Sequence, residues 1–189
     1  MEFRNVDEQP LTRTIYLYGD ITGQLVYDTM IQIQNVNEED DHRTKLAAIR
    51  GETYSPLPIV IDINTNGGSV DDGMALISAI KASETPVVTR VSGYAYSMGF
   101  FIFLAGTDRL MSKYARVMYH QGSSVIGGTQ LDIEEAVQEW TTHEDMIVSY
   151  VTDHCKLTKK DLKKIYKSKF DKYFYAEEAL KLDIATEIY

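Results

Sequence analysis

Short apolar runs alternate with segments of helical periodicity over the first two thirds of the chain. A continuous apolar run bounded by turn residues is typical of a buried strand. The strand-like runs are TIYLYG (14–19), PIVIDIN (58–64), TPVVTRVSG (85–93) and ARVMYHQ (115–121). Between them, residues 70–83 carry apolar side chains at helical spacing, and residues 97–106 are apolar on every side, which predicts an interior helix. This order predicts an α/β fold with crossover connections and with ligands bound at the strand ends.

A polar stretch separates the first of these strands from the second. TGQLVYDTMIQIQ places Leu25, Met30 and Ile33 on one side of a predicted amphipathic helix. From residue 35 to residue 57 the composition becomes polar, with NEEDDHRTK at its centre. We interpret 35–57 as a polar surface loop or insertion, with a helical extension as the alternative.

The last third of the chain begins with a long predicted helix. Residues 131–154 contain no glycine or proline, and they would form a helix about 36 Å long. Its apolar side chains form one stripe, which Glu144 interrupts. The stripe consists of Ile133, Val137, Trp140, Ile147 and Val151. Such a helix could meet a partner chain or pack across its own domain, and periodicity alone leaves both open.

Composition restricts the class of partner. The chain has 189 residues and a formal net charge of -9, with a sequence pI near 4.9. We therefore expect no binding to nucleic acid or to anionic membrane, since both need clustered Lys and Arg. The one basic run, 156–169, is interpreted as the solvated face of a short helix whose apolar side carries Leu162, Ile165 and Tyr166.

The length predicts a single domain spanning residues 1–189. With Cys155 as its only cysteine, the chain forms no internal disulfide, which is typical of a reducing compartment. The N-terminal segment has no apolar core of the kind found in signal peptides, and there is no run of eighteen apolar residues. We therefore expect a soluble, cytoplasmic protein. No residue pattern predicts a metal or a cofactor.

GYAYSMGFF contains the strongest candidate for chemistry, Ser97, at the start of the predicted interior helix. A serine there is either a helix cap or a nucleophile. As a nucleophile it would lie in the positive field of the helix N-terminus, beside the free amide of Met98. A nucleophilic serine needs a base, and His120 ends the apolar strand RVMYH, where α/β proteins present catalytic groups. The other histidines are His42, His143 and His154.

Two further parts of such a site have weaker signals. NTNGGSV (64–70) joins a predicted strand to a predicted helix, and its paired glycines could expose the amide of Gly68 to a substrate carbonyl. An ordinary turn explains the same glycines. A carboxylate must also orient the histidine. Spacing cannot choose among the downstream candidates Asp132, Asp145, Asp153, Asp161 and Asp171.

Four segments in order give the sequence a specific resemblance. INTNGGSVDDGMALISAI, GYAYSMGFFIFLAG, RVMYHQ and FDKYFYAEEALKLDIATEI resemble the motif set of the Clp protease proteolytic subunit (ClpP family) and extend over about two thirds of the chain. The resemblance implies a crotonase-like β/α spiral and a serine endopeptidase. Ser97 would be the nucleophile, His120 the general base and Asp171 the orienting carboxylate, with the amides of Gly68 and Met98 as the oxyanion hole.

The same resemblance implies how substrate and partners are bound. Ser69 and Val70 would lie along an extended substrate peptide, which binds by strand addition. The helix in residues 130–155 would be the "handle" that joins two heptameric rings into a tetradecameric chamber. Such a chamber takes unfolded polypeptides, usually from a ring-shaped AAA+ ATPase. The chain departs from the family pattern at Asn66 and Gly122, where the family commonly has proline.

Two other functions remain open from the sequence. A crotonase-like enzyme acting on acyl-CoA thioesters would use a similar backbone oxyanion hole, but usually with a carboxylate base. A catalytically idle subunit would keep the ring assembly and lack hydrolysis. The ordered pair of Ser97 and His120 argues against the first. Only a chemical test distinguishes a catalytically idle subunit from an active peptidase.

Overall fold

The computed structural model describes residues 12–123 and 125–189, and helices and strands alternate through most of this length. The strands are β1 (Thr14–Tyr18), β2 (Ile59–Thr65), β3 (Val87–Tyr96), β4 (Arg109–Met111), β5 (Arg116–Tyr119), β6 (Lys172–Tyr175) and β7 (Glu187–Ile188). The helices are α1 (Gly23–Ile49), α2 (Val70–Ala82), α3 (Met98–Leu104), α4 (Gln130–His154), α5 (Lys159–Ser168) and α6 (Ala176–Lys181).

The strands form one mostly parallel sheet. Strands β1, β2, β3, β4 and β7 are neighbours in that order and run parallel, while β5 pairs parallel with β3, and β6 pairs antiparallel with β5. Parallel neighbours require crossover connections, and helices supply them between β1, β2, β3 and β4. This arrangement confirms the predicted α/β fold class.

One face of the sheet is covered by helices. Alternate side chains of β1 and β2 are almost completely buried in the main core. They are Ile15 and Leu17 of β1, and Ile59, Ile61 and Ile63 of β2. The intervening Tyr16 and Tyr18 are exposed. Because successive side chains of a strand point to opposite faces, this alternation shows which face carries the core.

Strand β3 pairs with two different strands along one of its edges. Its first half, Thr89–Val91, pairs with β4, and its second half, Tyr94–Tyr96, pairs with β5. The ends of β3 and β5 therefore lie side by side, with Tyr96 opposite Met118. Strand β6 runs back along β5 and places Lys172 opposite Tyr119. The residues that follow β3 and β5 and precede β6 consequently meet at one corner of the sheet.

The prediction of a polar loop at 35–57 is wrong for most of that stretch, because helix α1 continues to Ile49. Its buried residues recur at intervals of three and four: Val26, Thr29, Ile33, Val36 and Asp40. Two of these five are polar, so hydropathy alone hides the buried face. The helical alternative is right for 35–49, and residues 50–58 form the connection to β2.

Asp40 is the centre of the polar contacts that hold this part of α1. Its carboxylate accepts hydrogen bonds from Arg13 (Nη1 to Oδ2, 2.8 Å), the Tyr54 hydroxyl (2.7 Å) and the Thr85 hydroxyl (2.7 Å). These contacts hold the pKa of Asp40 at about 2, below its ordinary value of 3.8, chiefly through the hydrogen bond from Arg13. A polar side chain therefore serves as an anchor between α1, the connection to β2 and the start of β3.

The long C-terminal helix is present as predicted, and only part of its apolar stripe meets the rest of the chain. Val151 is fully buried and Ile147 packs against the core, while the Tyr150 hydroxyl donates to the carbonyl of Phe101 (2.9 Å). Two turns or more towards the N-terminus, Ile133 and Val137 are 41% and 52% exposed. Packing across its own domain therefore accounts for α4 from Trp140, which lies against Gly122, to Val151, and leaves Ile133 and Val137 unexplained.

The basic run 156–169 contains the short helix α5, as predicted. Leu162 is buried, whereas the lysines of this helix are exposed. Within residues 12–123 and 125–189, the helices are all too short or too polar to cross a membrane. The N-terminal segment that carries the signal-peptide expectation lies mostly outside the described residues.

Candidate functional site

Ser97 is the single residue that connects β3 to α3, and its backbone is strained. Its φ of 51° and ψ of -118° lie in a region that residues other than glycine rarely adopt. Backbone hydrogen bonds from its amide to the Met118 carbonyl (3.0 Å) and from the Phe100 amide to its own carbonyl (2.9 Å) hold this conformation. Its side chain makes no capping hydrogen bond to α3, so the helix-cap interpretation does not account for the hydroxyl.

The hydroxyl of Ser97 instead contacts His120. The distance from His120 Nε2 to Ser97 Oγ is 2.8 Å, which is a good hydrogen bond between two side chains 23 residues apart in sequence. The pairing of β3 with β5 places these residues side by side, because each follows the end of its strand. The His120 side chain is 32% exposed, so the pair lies where a substrate can reach it.

Asp171 lies on the other side of the His120 ring, beyond hydrogen-bond distance. Its Oδ1 is 3.8 Å from His120 Nδ1, and its Oδ2 accepts a long hydrogen bond from the Tyr173 hydroxyl (3.4 Å). In the antiparallel pairing of β5 with β6, Tyr119 is opposite Lys172, so His120 and Asp171 are the adjoining residues at that end of the two strands. The Asp171 side chain is 48% exposed. Catalytic hydrogen bonds in unliganded enzymes are often longer than in complexes with substrate.

The two amides expected to bind an oxyanion belong to Met98 and Gly68. Met98 is the first residue of α3, a position whose amide has no acceptor within the helix. Gly68 precedes α2 and has a φ of 149°, while the amide of the next residue, Ser69, donates to the carbonyl of Ile21 (2.9 Å). This pairing fixes the turn that carries the Gly68 amide.

Gly67 is a part of the site that the sequence prediction did not name. Its φ is 105°, and a Cβ built on it would lie 2.7 Å from Ser97 Cβ, 2.9 Å from the Tyr96 carbonyl oxygen and 3.0 Å from the Met98 amide nitrogen. The Thr65 hydroxyl accepts a hydrogen bond from the Gly67 amide (3.0 Å). The first glycine of the pair therefore lets the β2–α2 turn approach the backbone of Ser97. Its signal in the sequence is the pair itself, which does not say which glycine makes the contact.

Ser69 and Val70, predicted to bind substrate, lie at the start of α2. The Ser69 hydroxyl accepts a hydrogen bond from the Asp72 amide (3.3 Å) and so caps the helix. Val70 lines a cavity of about 810 Å³ that also touches Ser97, Met98 and His120. A volume of this size is typical of ligand sites. The opposite wall of the cavity comes from α4 and includes Trp140 and Glu144.

The remaining histidines and the cysteine lie away from the Ser97 hydroxyl contact. His42 is exposed on α1, and His154 Nδ1 is 2.7 Å from the Tyr150 carbonyl oxygen. His143 is half-buried and lines the cavity from α4. Burial raises the pKa of the Cys155 thiol, whose Sγ lies 3.2 Å from the Val151 carbonyl oxygen, and this does not favour a thiolate nucleophile.

Comparison with known proteins gives the family. The family model described as Clp protease matches residues 12–189. The chain belongs to the Clp protease family. Curated relatives support this membership: an ATP-dependent Clp protease proteolytic subunit 2 of Corynebacterium glutamicum is 30% identical over 169 residues, which cover 88% of this chain and 76% of the relative.

Two further relatives match this chain with similar identity and coverage. A proteolytic subunit 2 of Rhodococcus jostii is 34% identical over 170 residues, covering 89% of this chain and 79% of the relative. A proteolytic subunit 1 of Frankia casuarinae is 36% identical over 170 residues, covering 88% and 72%. The resemblance noted in the sequence is thus confirmed, and membership supports a protease.

Proposed function

We propose that this protein is a serine endopeptidase in which Ser97 is the nucleophile and His120 the general base. The observation that carries the proposal is the 2.8 Å contact between His120 Nε2 and Ser97 Oγ. A serine hydroxyl is a weak nucleophile until an adjacent base accepts its proton, and this distance is within the range for direct transfer. Membership in the Clp protease family supports the same reaction class.

In the proposed reaction, Ser97 Oγ attacks the carbonyl carbon of a peptide bond while its proton passes to His120 Nε2. The tetrahedral intermediate carries its negative charge on the former carbonyl oxygen, where the amides of Gly68 and Met98 would donate to it. The C–N bond then breaks, and His120 returns the proton to the leaving amine. A water molecule, deprotonated by His120, attacks the acyl-enzyme and releases the second product.

Asp171 is proposed to orient His120 and stabilise its protonated form. Its carboxylate would need to move closer to Nδ1 by about 1 Å for a hydrogen bond of ordinary length. The half-exposed side chain is free enough for a movement of this size. We propose that substrate or assembly completes this half of the triad.

The substrate is proposed to be an unfolded polypeptide in extended conformation, bound along Ser69 and Val70 at the start of α2. An enclosed chamber formed by heptameric rings, which α4 would join into a tetradecamer, would exclude folded proteins. The exposed apolar side chains of the outer half of α4 support its contact with another copy. Dependence on ATP, and with it a Clp ATPase partner, is proposed because these relatives are named as ATP-dependent Clp protease proteolytic subunits.

The Ser97→Ala variant tests the proposal with the assembled protein and a short fluorogenic peptide. We expect hydrolysis to fall by about 10³-fold or more, because no other residue replaces the nucleophile. Ser78→Ala is the matched control, since Ser78 is exposed on α2 and donates only to the Met74 carbonyl (2.9 Å). Hydrolysis by Ser97→Ala at the wild-type rate would remove Ser97 from the mechanism.

A further inference from the structure

Helix α4 places one carboxylate on the face that meets the rest of the chain. Trp140, Glu144 and Ile147 have the spacing i, i+4 and i+7 and so share one side of the helix. Trp140 contacts the segment after His120, since a Cβ on Gly122 would be 3.0 Å from the indole ring. Ile147 packs against the core. Glu144 lies between these two contacts and is half-buried.

Glu144 lines the same cavity as Ser97 and His120. Burial raises its pKa, and Asp145 adds to this effect. Burial also raises the pKa of Tyr119, the residue before His120, to about 12, and the charge of Glu144 contributes to that increase. The charge of Glu144 therefore acts on the Tyr119 hydroxyl, and both residues line the cavity.

The cavity that adjoins Ser97 has an apolar floor and an acidic wall. Phe101 and Met98 are buried against one side, and Trp140 and Ile147 line another. Among the described residues that line it, four are carboxylates and none is Lys or Arg. The carboxylates are Asp71, Glu135, Glu139 and Glu144. Of these four residues, Asp71, Glu135 and Glu139 are exposed. Glu144 is half-buried, on the face of α4 that contacts the rest of the chain.

We infer that this cavity binds the side chain of the residue just before the cleaved peptide bond, and that Glu144 makes it select Lys or Arg there. The inference rests on the proposed function of Ser97. When Ser97 attacks a carbonyl, the side chain on the same residue lies closest to the nucleophile, so the adjoining cavity receives it. A long basic side chain buries its methylene groups against the apolar walls and brings its charge to a carboxylate.

Glu144 has the properties that such selection requires. A carboxylate that is partly removed from water gains more from a bound cation than an exposed one does. In residues 12–123 and 125–189, no hydrogen bond or ion pair from another side chain occupies it. A neutral aliphatic side chain would fill the same walls but leave this carboxylate without a partner. An acidic side chain would be repelled by it.

The test uses peptidyl diphenyl phosphonates, which react covalently with a nucleophilic serine. Two probes differ only at the residue that enters the cavity, with lysine in one and norleucine, which is lysine without its ammonium group, in the other. Intact-protein mass gives the rate of adduct formation in the assembled protein. We expect the lysine probe to react about 10-fold faster than the norleucine probe, because a hydrogen-bonded ion pair contributes more than a neutral contact.

The variant Glu144→Gln keeps the size of the side chain and removes its charge, and we expect the ratio of the two rates to fall to about 1. Glu134→Gln is the matched control, since Glu134 lies on the same helix, is exposed and does not line the cavity. We expect its rate ratio to equal that of the wild type. A wild-type ratio of 1 or less, or a ratio that Glu144→Gln does not reduce, overturns the inference.

These outcomes separate the selectivity from the proposed catalytic role. If the norleucine probe labels Ser97 at least as fast as the lysine probe does, Ser97 remains the nucleophile and only the preference for a basic side chain is overturned. Absence of labelling by either probe overturns both. Equal loss of rate with the two probes in Glu144→Gln would mean that Glu144 supports the structure of the site and does not choose the side chain.

Discussion

At the scale of single residues, Ser97 and Gly67 hold each other in an unusual arrangement. Ser97 adopts a positive φ that turns its hydroxyl away from α3 and towards His120. Gly67 allows the neighbouring turn to come so close that any side chain there would meet the backbone on both sides of Ser97. The reactive hydroxyl is thus positioned by a contact between two connections, each of which follows a parallel strand.

The substitution Gly67→Ala should therefore damage the site more than the same substitution at a glycine that only has a positive φ. A methyl group would lie within 3.0 Å of three atoms, two of them backbone. We expect the labelling rate of Ser97 to fall at least 10-fold and the free energy of unfolding to fall by about 2 kcal/mol or more. Labelling kinetics and chemical denaturation measure the two effects.

Gly51→Ala is the control for strain alone. Gly51 also has a positive φ, of 70°, but an added Cβ would have no atom within 4 Å. We expect a loss of about 1 kcal/mol and an unchanged labelling rate. If Gly67→Ala behaves like Gly51→Ala, the close approach of the two turns is not what positions Ser97.

The sequence predicted some of these residues and not others, for identifiable reasons. Ser97 and His120 each follow an apolar strand, and strand ends are where α/β proteins bring side chains together. Asp171 follows no such rule, because it precedes an edge strand whose antiparallel pairing with β5 has no signal in the sequence. Its selection depended on the family resemblance. The role of Gly67 depends on distances between two turns, which no pattern of residues reports.

At the scale of elements, helix α1 shows how a polar sequence can be firmly packed. Asp40 is one of its buried residues and accepts hydrogen bonds from Arg13, Tyr54 and Thr85, which lie in three separate segments outside the helices and strands. Hydropathy treats such a residue as exposed, and this is why the stretch from residue 35 looked like a loop. The buried positions of α1 are three and four residues apart, as in an amphipathic helix, but two of the side chains at these positions are polar.

The variant Asp40→Asn should lower stability in a manner that depends on pH. The folded-state pKa of Asp40 is about 2, below the ordinary value of 3.8. The ionised carboxylate therefore stabilises the fold above about pH 4, and this stabilisation is lost as the pH falls towards 2. We expect Asp40→Asn to lower the free energy of unfolding by about 2 kcal/mol at pH 7, with the difference shrinking towards pH 2.

Urea denaturation at a fixed protein concentration measures this difference at each pH. Asp41→Asn is the matched control, because Asp41 is the next residue, is exposed and pairs only with Lys45 one turn along the helix. We expect it to change stability by less than about 0.5 kcal/mol. A destabilisation by Asp40→Asn that is the same at pH 7 and pH 2.5 would contradict the assignment of the ion pair.

At the scale of the whole molecule, the apolar stripe of α4 is longer than the surface that covers it. Val151 and Ile147 are in contact with the core, while Ile133 and Val137 on the same side of the helix are exposed. An isolated chain would leave this apolar surface in water, which favours its burial against another copy. Periodicity predicted the helix and its stripe, but it could not say where the chain's own core ends.

The variant Val137→Glu should weaken the proposed assembly. A carboxylate at the centre of an apolar contact between copies would lose hydration without gaining a partner. We expect the wild type to have a mass of about fourteen times the 21.5 kDa chain, and the variant a mass of half that or less. Native mass spectrometry measures both.

Ser149→Glu introduces the same charge on the exposed, opposite side of α4 and should leave the mass unchanged. A wild type that stays monomeric would contradict the proposal that α4 joins copies. So would a Val137→Glu variant with the wild-type mass.

Covalent labelling by a fluorophosphonate shows whether the contact between Ser97 and His120 activates the serine hydroxyl. Mass analysis of the labelled protein locates the adduct and gives its rate of formation. We expect one adduct, on Ser97, formed at least about 10³-fold more slowly in His120→Ala and absent in Ser97→Ala. No adduct on Ser97 in the wild type, or an unchanged rate in His120→Ala, would contradict the proposed mechanism.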